Sequence, residues 1–194
     1  MRVGKVSRKT KETSIEVSLN LDGSGKAKVS TSIKFFDHLL SSFAKHGCFD
    51  LAIKARGDLE HHIAEDVMLV LGRALDKALG TKVGIRRMGD AMVPMDDALV
   101  LVAVDLSGRA YAKIEAKFAK KKLDDLSSDL IEHLLQTLAI NGKLNLHVQV
   151  IRGRNDHHKA EALFKALGRA LDAATRIDER ISGELPSTKE FLES

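Results

Sequence analysis

The sequence predicts an α+β fold in which two antiparallel-rich sheets flank a layer of four helices. Three observations predict it: short segments recur in the same order in both halves of the chain, apolar and polar residues alternate over short stretches, and longer stretches carry apolar residues at helical spacing. The halves span approximately residues 1–90 and 91–180, and a C-terminal tail spans 181–194. We interpret residues 1–194 as one fused domain with an internal duplication.

Two pairs of matching segments indicate the duplication. Phe36-Asp37-His38-Leu39-Leu40 returns as Ile131-Glu132-His133-Leu134-Leu135, and His61-His62-Ile63-Ala64-Glu65 returns as His157-His158-Lys159-Ala160-Glu161. The second copy has one extra residue before its histidine pair, near a strand end where a β-bulge or a longer turn would absorb it. Segments that match in the same order are typical of an ancestral duplication.

Each half is expected to contain strand, strand, helix, strand and helix, in that order. Apolar residues alternate with polar ones over 15–19 and again over 49–53, as half-buried strands require. The Ser-Gly turns at 24–27 and 107–110 lie between strand-like runs, so we expect a hairpin at each of them.

Four stripes of apolar residues recur every three or four positions, two in each half. The stripes are Phe35, Phe36, Leu39, Leu40 and Phe43; Val67, Met68, Leu71, Ala74, Leu75 and Ala78; Leu130, Ile131, Leu134, Leu135 and Leu138; and Leu163, Phe164, Leu167, Ala170, Leu171 and Ala174. Sheets on both sides of four helices would bury all the stripes, whereas separate halves would each leave a large apolar surface in water.

Composition limits the class of protein. With 44% hydrophobic and 30% charged residues, the chain can bury a core. Its longest apolar run, Ala98 to Val104, is far shorter than the roughly twenty residues of a membrane-spanning helix, and its N-terminus lacks the features of a signal peptide. We therefore expect a cytoplasmic protein with no membrane partner. The single Cys48 excludes a disulfide framework and a cysteine-rich zinc module.

Six of the eight histidines lie in the repeated segments, together with one glutamate in each half. A helix start has no structural need for two imidazoles and a glutamate in both copies, so we predict that these residues bind metal. The predicted ligands, enough for three imidazoles and one carboxylate on each of two ions, are His38, His61, His62, Glu65, His133, His157, His158 and Glu161. Adjacent histidines on a helix point about 100° apart, which favours two sites, but the grouping stays open. Such donors suit manganese, iron or zinc.

Over nearly its whole length the chain resembles the imidazoleglycerol-phosphate dehydratase family. The resemblance is carried by the segments above and by Lys11-Glu12-Thr13, Asp105-Leu106-Ser107-Gly108-Arg109, Gly153-Arg154-Asn155-Asp156-His157-His158 and Pro186-Ser187-Thr188-Lys189. It implies dehydration of D-erythro-imidazoleglycerol phosphate to imidazole acetol phosphate and water, a step of histidine biosynthesis, with imidazolate formation on a dimetal site. It also implies two divalent ions per active site, manganese being favoured over iron or zinc, and a 24-subunit homo-oligomer with active sites between subunits.

The resemblance further implies roles for residues outside the histidine clusters. Glu12 is the expected general base and substrate contact, and the expected phosphate-binding residues are Arg87, Arg109, Lys165, Ser187 and Lys189. Asp97 stands where glutamate is usual in the family.

Two other functions are weighed against this interpretation. A dimetal hydrolase of a phosphorylated small molecule would use the same ligands to activate water. A basic RNA-binding module is less favoured, because the net charge is only +4, aromatic residues make up 4% of the chain and tryptophan is absent. We therefore expect no nucleic-acid partner.

Overall fold

The computed structural model describes residues 1–192 and contains the same succession of principal elements in both halves. The first half contains β1 (Val3–Lys9), β2 (Thr13–Asn20), β3 (Ala27–Ser30), α1 (Lys34–His46), β4 (Asp50–Gly57) and α2 (Glu60–Leu79). The second half contains β5 (Met88–Met95), β6 (Ala98–Asp105), β7 (Tyr111–Glu115), the short strands β8 (Lys122–Leu123) and β9 (Leu126–Ser127), α3 (Ser128–Asn141), β10 (Asn145–Arg152) and α4 (Asp156–Thr175). A single 3-10 turn, Glu179–Ile181, follows α4.

Each half forms one four-stranded sheet, with strand orders β1-β2-β4-β3 and β5-β6-β10-β7. Two of the three strand pairs in each sheet are antiparallel, which confirms the antiparallel-rich sheets. The first half has one strand more than predicted before its first helix, and the second half has three more, which include the short strands β8 and β9. In the first half the additional strand is the edge strand β1, whose inward positions hold Gly4, Val6 and Arg8 and therefore lack an apolar alternation.

The prediction of hairpins at 24–27 and 107–110 is wrong. β4 lies between β2 and β3, and β10 lies between β6 and β7, so neither segment joins neighbouring strands. Instead β3 pairs in parallel with β4, and β7 pairs in parallel with β10. Parallel neighbours need a crossover connection, which α1 and α3 supply. The hairpin turns are at 10–12 and 96–97, between the first two strands of each sheet.

The four helices lie between the two sheets, and every residue of the four predicted stripes is buried. α2 packs on β1 and β2, and α4 packs on β5 and β6. The helices also pack across the halves, α1 against α4 and α2 against α3, so each half covers apolar surface of the other. None of the helices within residues 1–192 is long and apolar enough to cross a bilayer.

Two local features follow from the repeat. The extra residue of the second copy is absorbed by a β-bulge at Ile151, because the register of β10 against β6 shifts between Val150 and Arg152. Equivalent glycines mark the two helix crossings: a Cβ on Gly72 would lie 2.8 Å from the Gly142 nitrogen, and one on Gly168 would lie 2.3 Å from the Phe43 carbonyl oxygen. The close crossing of α1 and α4 therefore requires glycine at position 168.

Candidate active site

The first cluster of potential metal ligands joins α1 of the first half to α4 of the second. His38 Nε2 lies 3.1 Å from Glu161 Oε2, and His157 Nε2 lies 3.3 Å from the same oxygen. Two donor atoms that each lie about 2.1 Å from one ion, at angles of about 90–110°, are separated by about 3.0–3.4 Å. The observed spacings therefore fit donors that converge on a single ion.

The second cluster has the mirrored composition, with α2 of the first half facing α3 of the second. His133 Nε2 lies 3.2 Å from Glu65 Oε1, and His61 Nε2 lies 3.6 Å from Glu65 Oε2. The rings of His61 and His133 are stacked with their centroids 5.8 Å apart. Among residues 1–192, these two clusters are the groups of three ligating side chains whose donor atoms all lie within 4.8 Å of one another.

Helix packing decides the grouping that the sequence leaves open. In each cluster the histidine and glutamate of one half are an i,i+4 pair, which places both on one face near the start of a long helix. The third ligand comes from the shorter helix of the other half, because α1 packs on α4 and α3 packs on α2. Each cluster therefore exists only when both halves are folded together.

The second histidine of each adjacent pair points away from these clusters. The rings of His61 and His62 are nearly perpendicular with centroids 6.2 Å apart, as are those of His157 and His158. Their positions on the helix, about 100° apart, explain the divergence. Within residues 1–192 of one chain, each cluster thus gathers two imidazoles and one carboxylate, one imidazole fewer than the predicted set for each ion.

Two carboxylates orient His62 and His158, the histidines that point away from the clusters. Neither carboxylate was assigned a role from the sequence. His62 Nδ1 lies 2.9 Å from Asp58 Oδ1, and His158 Nδ1 lies 2.7 Å from Asp97 Oδ1. The Asp58 hydrogen bond raises the pKa of His62. Backbone N–H groups of Asn155 and Arg154, together with His158, hold the pKa of Asp97 far below its usual range. A carboxylate on Nδ1 is the arrangement of a metal-ligating histidine with its supporting partner. His158 Nε2 lies 3.4 Å from the exposed carboxylate of Asp96, in the turn between β5 and β6.

A second pair of unassigned carboxylates lies at the turn between β8 and β9. Asp124 Oδ2 is 3.3 Å from His157 Nδ1, and Asp125 accepts hydrogen bonds from the backbone N–H groups of Lys34 and Phe35 at the start of α1. These adjacent residues therefore support both helices of the first cluster. Asp58 was detectable as the residue four positions before His62, but Asp124 becomes relevant only through the fold.

Glu161 is buried between the two histidines of its cluster and Lys165. Lys165 Nζ lies 2.8 Å from Glu161 Oε1, on the side opposite the histidines. Burial opposes ionisation, but the Lys165 ammonium and the His38 ring outweigh it and lower the pKa of Glu161. The carboxylate is thus held in the charged form that a metal requires. The cluster opens into a cleft of about 680 Å³ that Phe35 also lines.

Glu12 lies in the turn between β1 and β2, close to the second histidine of the first pair. Its Oε2 is 3.9 Å from His62 Nδ1, and its side chain is 62% exposed. Its backbone N–H donates to Thr10 Oγ1 at 3.1 Å, which fixes the turn. The carboxylate therefore faces the solvent side of His62.

The remaining candidate substrate-binding residues gather around Arg87 and the turn after β6. Arg87 binds Asp105 through two hydrogen bonds and donates from Nη1 to the Pro186 carbonyl oxygen at 2.9 Å. Ser187 follows directly, and its Oγ accepts a hydrogen bond from the backbone N–H of Lys189 at 3.2 Å. Arg109 is exposed after the turn at Gly108, where φ is 86°.

This second group is distant from the first cluster. The backbone N–H of Arg87 donates to the carbonyl oxygen of Ala174 at the end of α4, and Glu161 lies near the start of that helix, about 20 Å away along its axis. β6 gives a similar separation: Asp97, the partner of His158 at the start of α4, precedes the strand, and Asp105, the partner of Arg87, ends it, about 25 Å away. Of the five predicted phosphate-binding residues, only Lys165 lies beside the first cluster in the same chain.

Comparisons with known proteins agree with the resemblance seen in the sequence. The family model for imidazoleglycerol-phosphate dehydratase matches residues 31–171. An imidazoleglycerol-phosphate dehydratase of Chloroflexus aggregans is 58% identical over 190 residues, covering 96% of this chain and 93% of the relative. The fold matches solved structures of the enzyme from Pyrococcus furiosus, with a TM-score of 0.84, 37% identity and coverage of 96% and 100% of the two chains. The structure of the Staphylococcus aureus enzyme matches with a TM-score of 0.83 and 34% identity, over 91% of this chain and 99% of that one.

Proposed function

Because the chain belongs to the imidazoleglycerol-phosphate dehydratase family, a family of hydro-lyases in histidine biosynthesis, we propose that it converts D-erythro-imidazoleglycerol phosphate to imidazole acetol phosphate and water at a dimetal site. The observation that carries this proposal is the pair of cross-half clusters, each with two imidazoles and one carboxylate. An enzyme for this reaction must hold both the imidazole ring and the hydroxylated chain of the substrate, and two metal clusters suit these two tasks.

The ligand set fits divalent transition metals. Mixed nitrogen and oxygen donors, with positions left for further ligands, suit manganese, and iron and zinc are the alternatives. When bound, such ions act as Lewis acids that favour loss of the ring proton and hold a chain hydroxyl. The residues that hold them in this proposal are His38, His61, His62, Glu65, His133, His157, His158 and Glu161.

We further propose that the active sites form between subunits of a 24-subunit homo-oligomer. His62 and His158 each present a ring away from the clusters of their own chain, supported by Asp58 and Asp97. In this proposal they complete the clusters of neighbouring copies, and the metal replaces Asp96 as the partner of His158 Nε2. Arg87 lies about 20 Å from Glu161 along α4, which is further than a substrate of this size extends. One substrate molecule therefore cannot reach both the metal clusters and the phosphate-binding residues of a single chain, so each active site requires two chains.

Glu12 is the proposed general base. The elimination takes a proton from the middle carbon of the chain and expels the hydroxyl next to the ring as water, and the resulting enol becomes the ketone. Glu12 is exposed, and its carboxylate lies 3.9 Å from His62 Nδ1, so it is next to a residue of the proposed metal site. Arg87, Arg109, Lys165, Ser187 and Lys189 are proposed to hold the phosphate, which supplies binding energy away from the reacting carbons.

One set of measurements tests the proposal. Purified protein is assayed for formation of imidazole acetol phosphate and for release of inorganic phosphate, and its metal content and solution mass are determined. We expect dehydration without phosphate release, about two transition-metal ions per chain, and a mass near twenty-four times 21.2 kDa. Phosphate release without dehydration would favour the dimetal hydrolase, and a metal-free monomer would contradict the dimetal site and the assembly.

A further inference from the structure

Asp105 has no role in the function proposed above, although it opens the segment that leads to Arg109. Its carboxylate receives two hydrogen bonds from one edge of a guanidinium: Arg87 Nε donates to Oδ1 at 2.7 Å, and Arg87 Nη2 donates to Oδ2 at 3.0 Å. The side chains are 15% and 22% exposed, so the pair is largely shielded from water. Two parallel hydrogen bonds fix the plane of a guanidinium, whereas a single hydrogen bond leaves it free to rotate.

Arg87 is held by its backbone as well as by its side chain. Its φ of 70° lies in the left-handed region, which residues other than glycine rarely adopt. Its N–H donates to Ala174 O at 2.9 Å, and its carbonyl oxygen accepts from the backbone N–H of Leu106 at 3.0 Å. An unusual backbone conformation that is held from both sides is typical of a functional position.

The fixed guanidinium connects Asp105 to the C-terminal segment. Arg87 Nη1 donates to the carbonyl oxygen of Pro186 at 2.9 Å, immediately before Ser187. Three of the five N–H groups of Arg87 are thereby used, and two remain for a ligand. The same carboxylate thus determines where the free edge of Arg87 points and where the segment with Ser187 and Lys189 begins.

We propose that Asp105 is a positioning residue for the substrate phosphate, acting through Arg87 and, by way of Pro186, through Ser187 and Lys189. The inference rests on the proposed function, because it assumes that Arg87 binds that phosphate. Asp105 touches no substrate atom in this arrangement. Its contribution is to orient one guanidinium and one chain segment before the phosphate arrives, so its loss weakens phosphate binding more than it slows the chemical step.

The test uses the assembled, metal-loaded enzyme and inorganic phosphate as a competitive inhibitor. Asp105→Asn keeps the shape of the side chain but removes its charge. We expect the inhibition constant of phosphate and the KM of the substrate each to rise about tenfold, with kcat changed by less than about threefold. Asp22→Asn is the matched control, since it removes the charge from another carboxylate that binds one guanidinium, that of Arg2, and it should leave both constants unchanged.

Three outcomes separate the possibilities. An unchanged inhibition constant in Asp105→Asn, when Arg87→Ala raises it, overturns the role of Asp105 and leaves the proposed phosphate site intact. An unchanged constant in Arg87→Ala overturns the proposed phosphate site itself. If Asp105→Asn does not assemble, Asp105→Glu decides: it keeps the charge but moves the carboxylate by one methylene, so the two-bond pair with Arg87 is lost and the inhibition constant should rise, and a wild-type value overturns the inference.

Discussion

His38 of the first half and Glu161 of the second half lie 3.1 Å apart, measured from Nε2 to Oε2. They belong to different copies of the repeat and meet because α1 packs against α4. His133 and Glu65 repeat the relationship at 3.2 Å on the other pair of helices. In the proposed function, metal binding and the association of the two halves are linked, since a donor set that spans both halves exists only in the folded state.

Replacement of Glu161 is expected to empty one cluster and spare the other. Glu161→Gln removes the charge that faces both histidines, so the metal content per chain should fall by about half. Elemental analysis after dialysis measures the effect. Glu132→Gln is the control, because Glu132 is exposed on α3 beside His133 and belongs to neither cluster. Full metal content in Glu161→Gln would contradict the assignment.

Asp97 is expected to contribute to metal affinity without touching the metal. Asp97→Asn removes the negative charge from the partner of His158 Nδ1 and should weaken metal binding by about 10- to 100-fold. Competition with a fluorescent chelator gives the affinity directly. Asp90→Asn, on the exposed side of β5, should have wild-type affinity. Equal affinities for the three proteins would show that Asp97 has no supporting role.

Glu12 is expected to affect turnover and not metal content. Glu12→Gln keeps the size of the side chain but cannot accept a proton, so kcat should fall by about 10²- to 10⁴-fold with the metals retained. Steady-state kinetics and elemental analysis on the same preparation separate the two effects. Glu16→Gln, on the exposed face of β2, serves as the control. Unchanged turnover in Glu12→Gln would assign the base to another residue.

The ion pair between Arg2 and Asp22 predicts a small dependence of stability on acid pH. The hydrogen bond from Arg2 is the largest of the influences that lower the pKa of Asp22, and burial opposes it. The pair therefore stabilises the fold above the unfolded pKa of about 3.9, and this contribution is lost as pH falls through the lower folded value. Because Asp22 is 38% exposed, Asp22→Asn should lower the free energy of unfolding by only about 0.5 kcal/mol at pH 7.

Urea unfolding of the wild type and Asp22→Asn at pH 7 and at about pH 3 measures this difference, with Asp90→Asn as a control that should show none. The difference between wild type and Asp22→Asn should be smaller at the acid pH. A difference that grows on acidification would have the wrong sign and would exclude the ion pair as its source.

Local sequence patterns were sufficient to predict the four helices and the residues they bury. Phe36, Leu39, Leu134 and Phe164 are fully buried. Apolar residues spaced three or four apart lie on one face of a helix, and that face packs against the core. The strand order was not accessible in the same way. The segment around Gly25 has the composition of a hairpin turn, yet it leads to β3, whose partner β4 is separated from it by the whole of α1. That pairing depends on a contact between distant parts of the chain.

The sequence by itself determined the duplication, the buried helical faces, the six repeated histidines with their two glutamates, and the family to which they point. Only the tertiary structure decided that each cluster takes ligands from both halves, that His62 and His158 face elsewhere, and that Arg87 is anchored by Asp105. Spacing along a helix fixes which side chains share its face, and that information is local. Which helix lies opposite that face is set by how two apolar layers pack together, and no single segment encodes it.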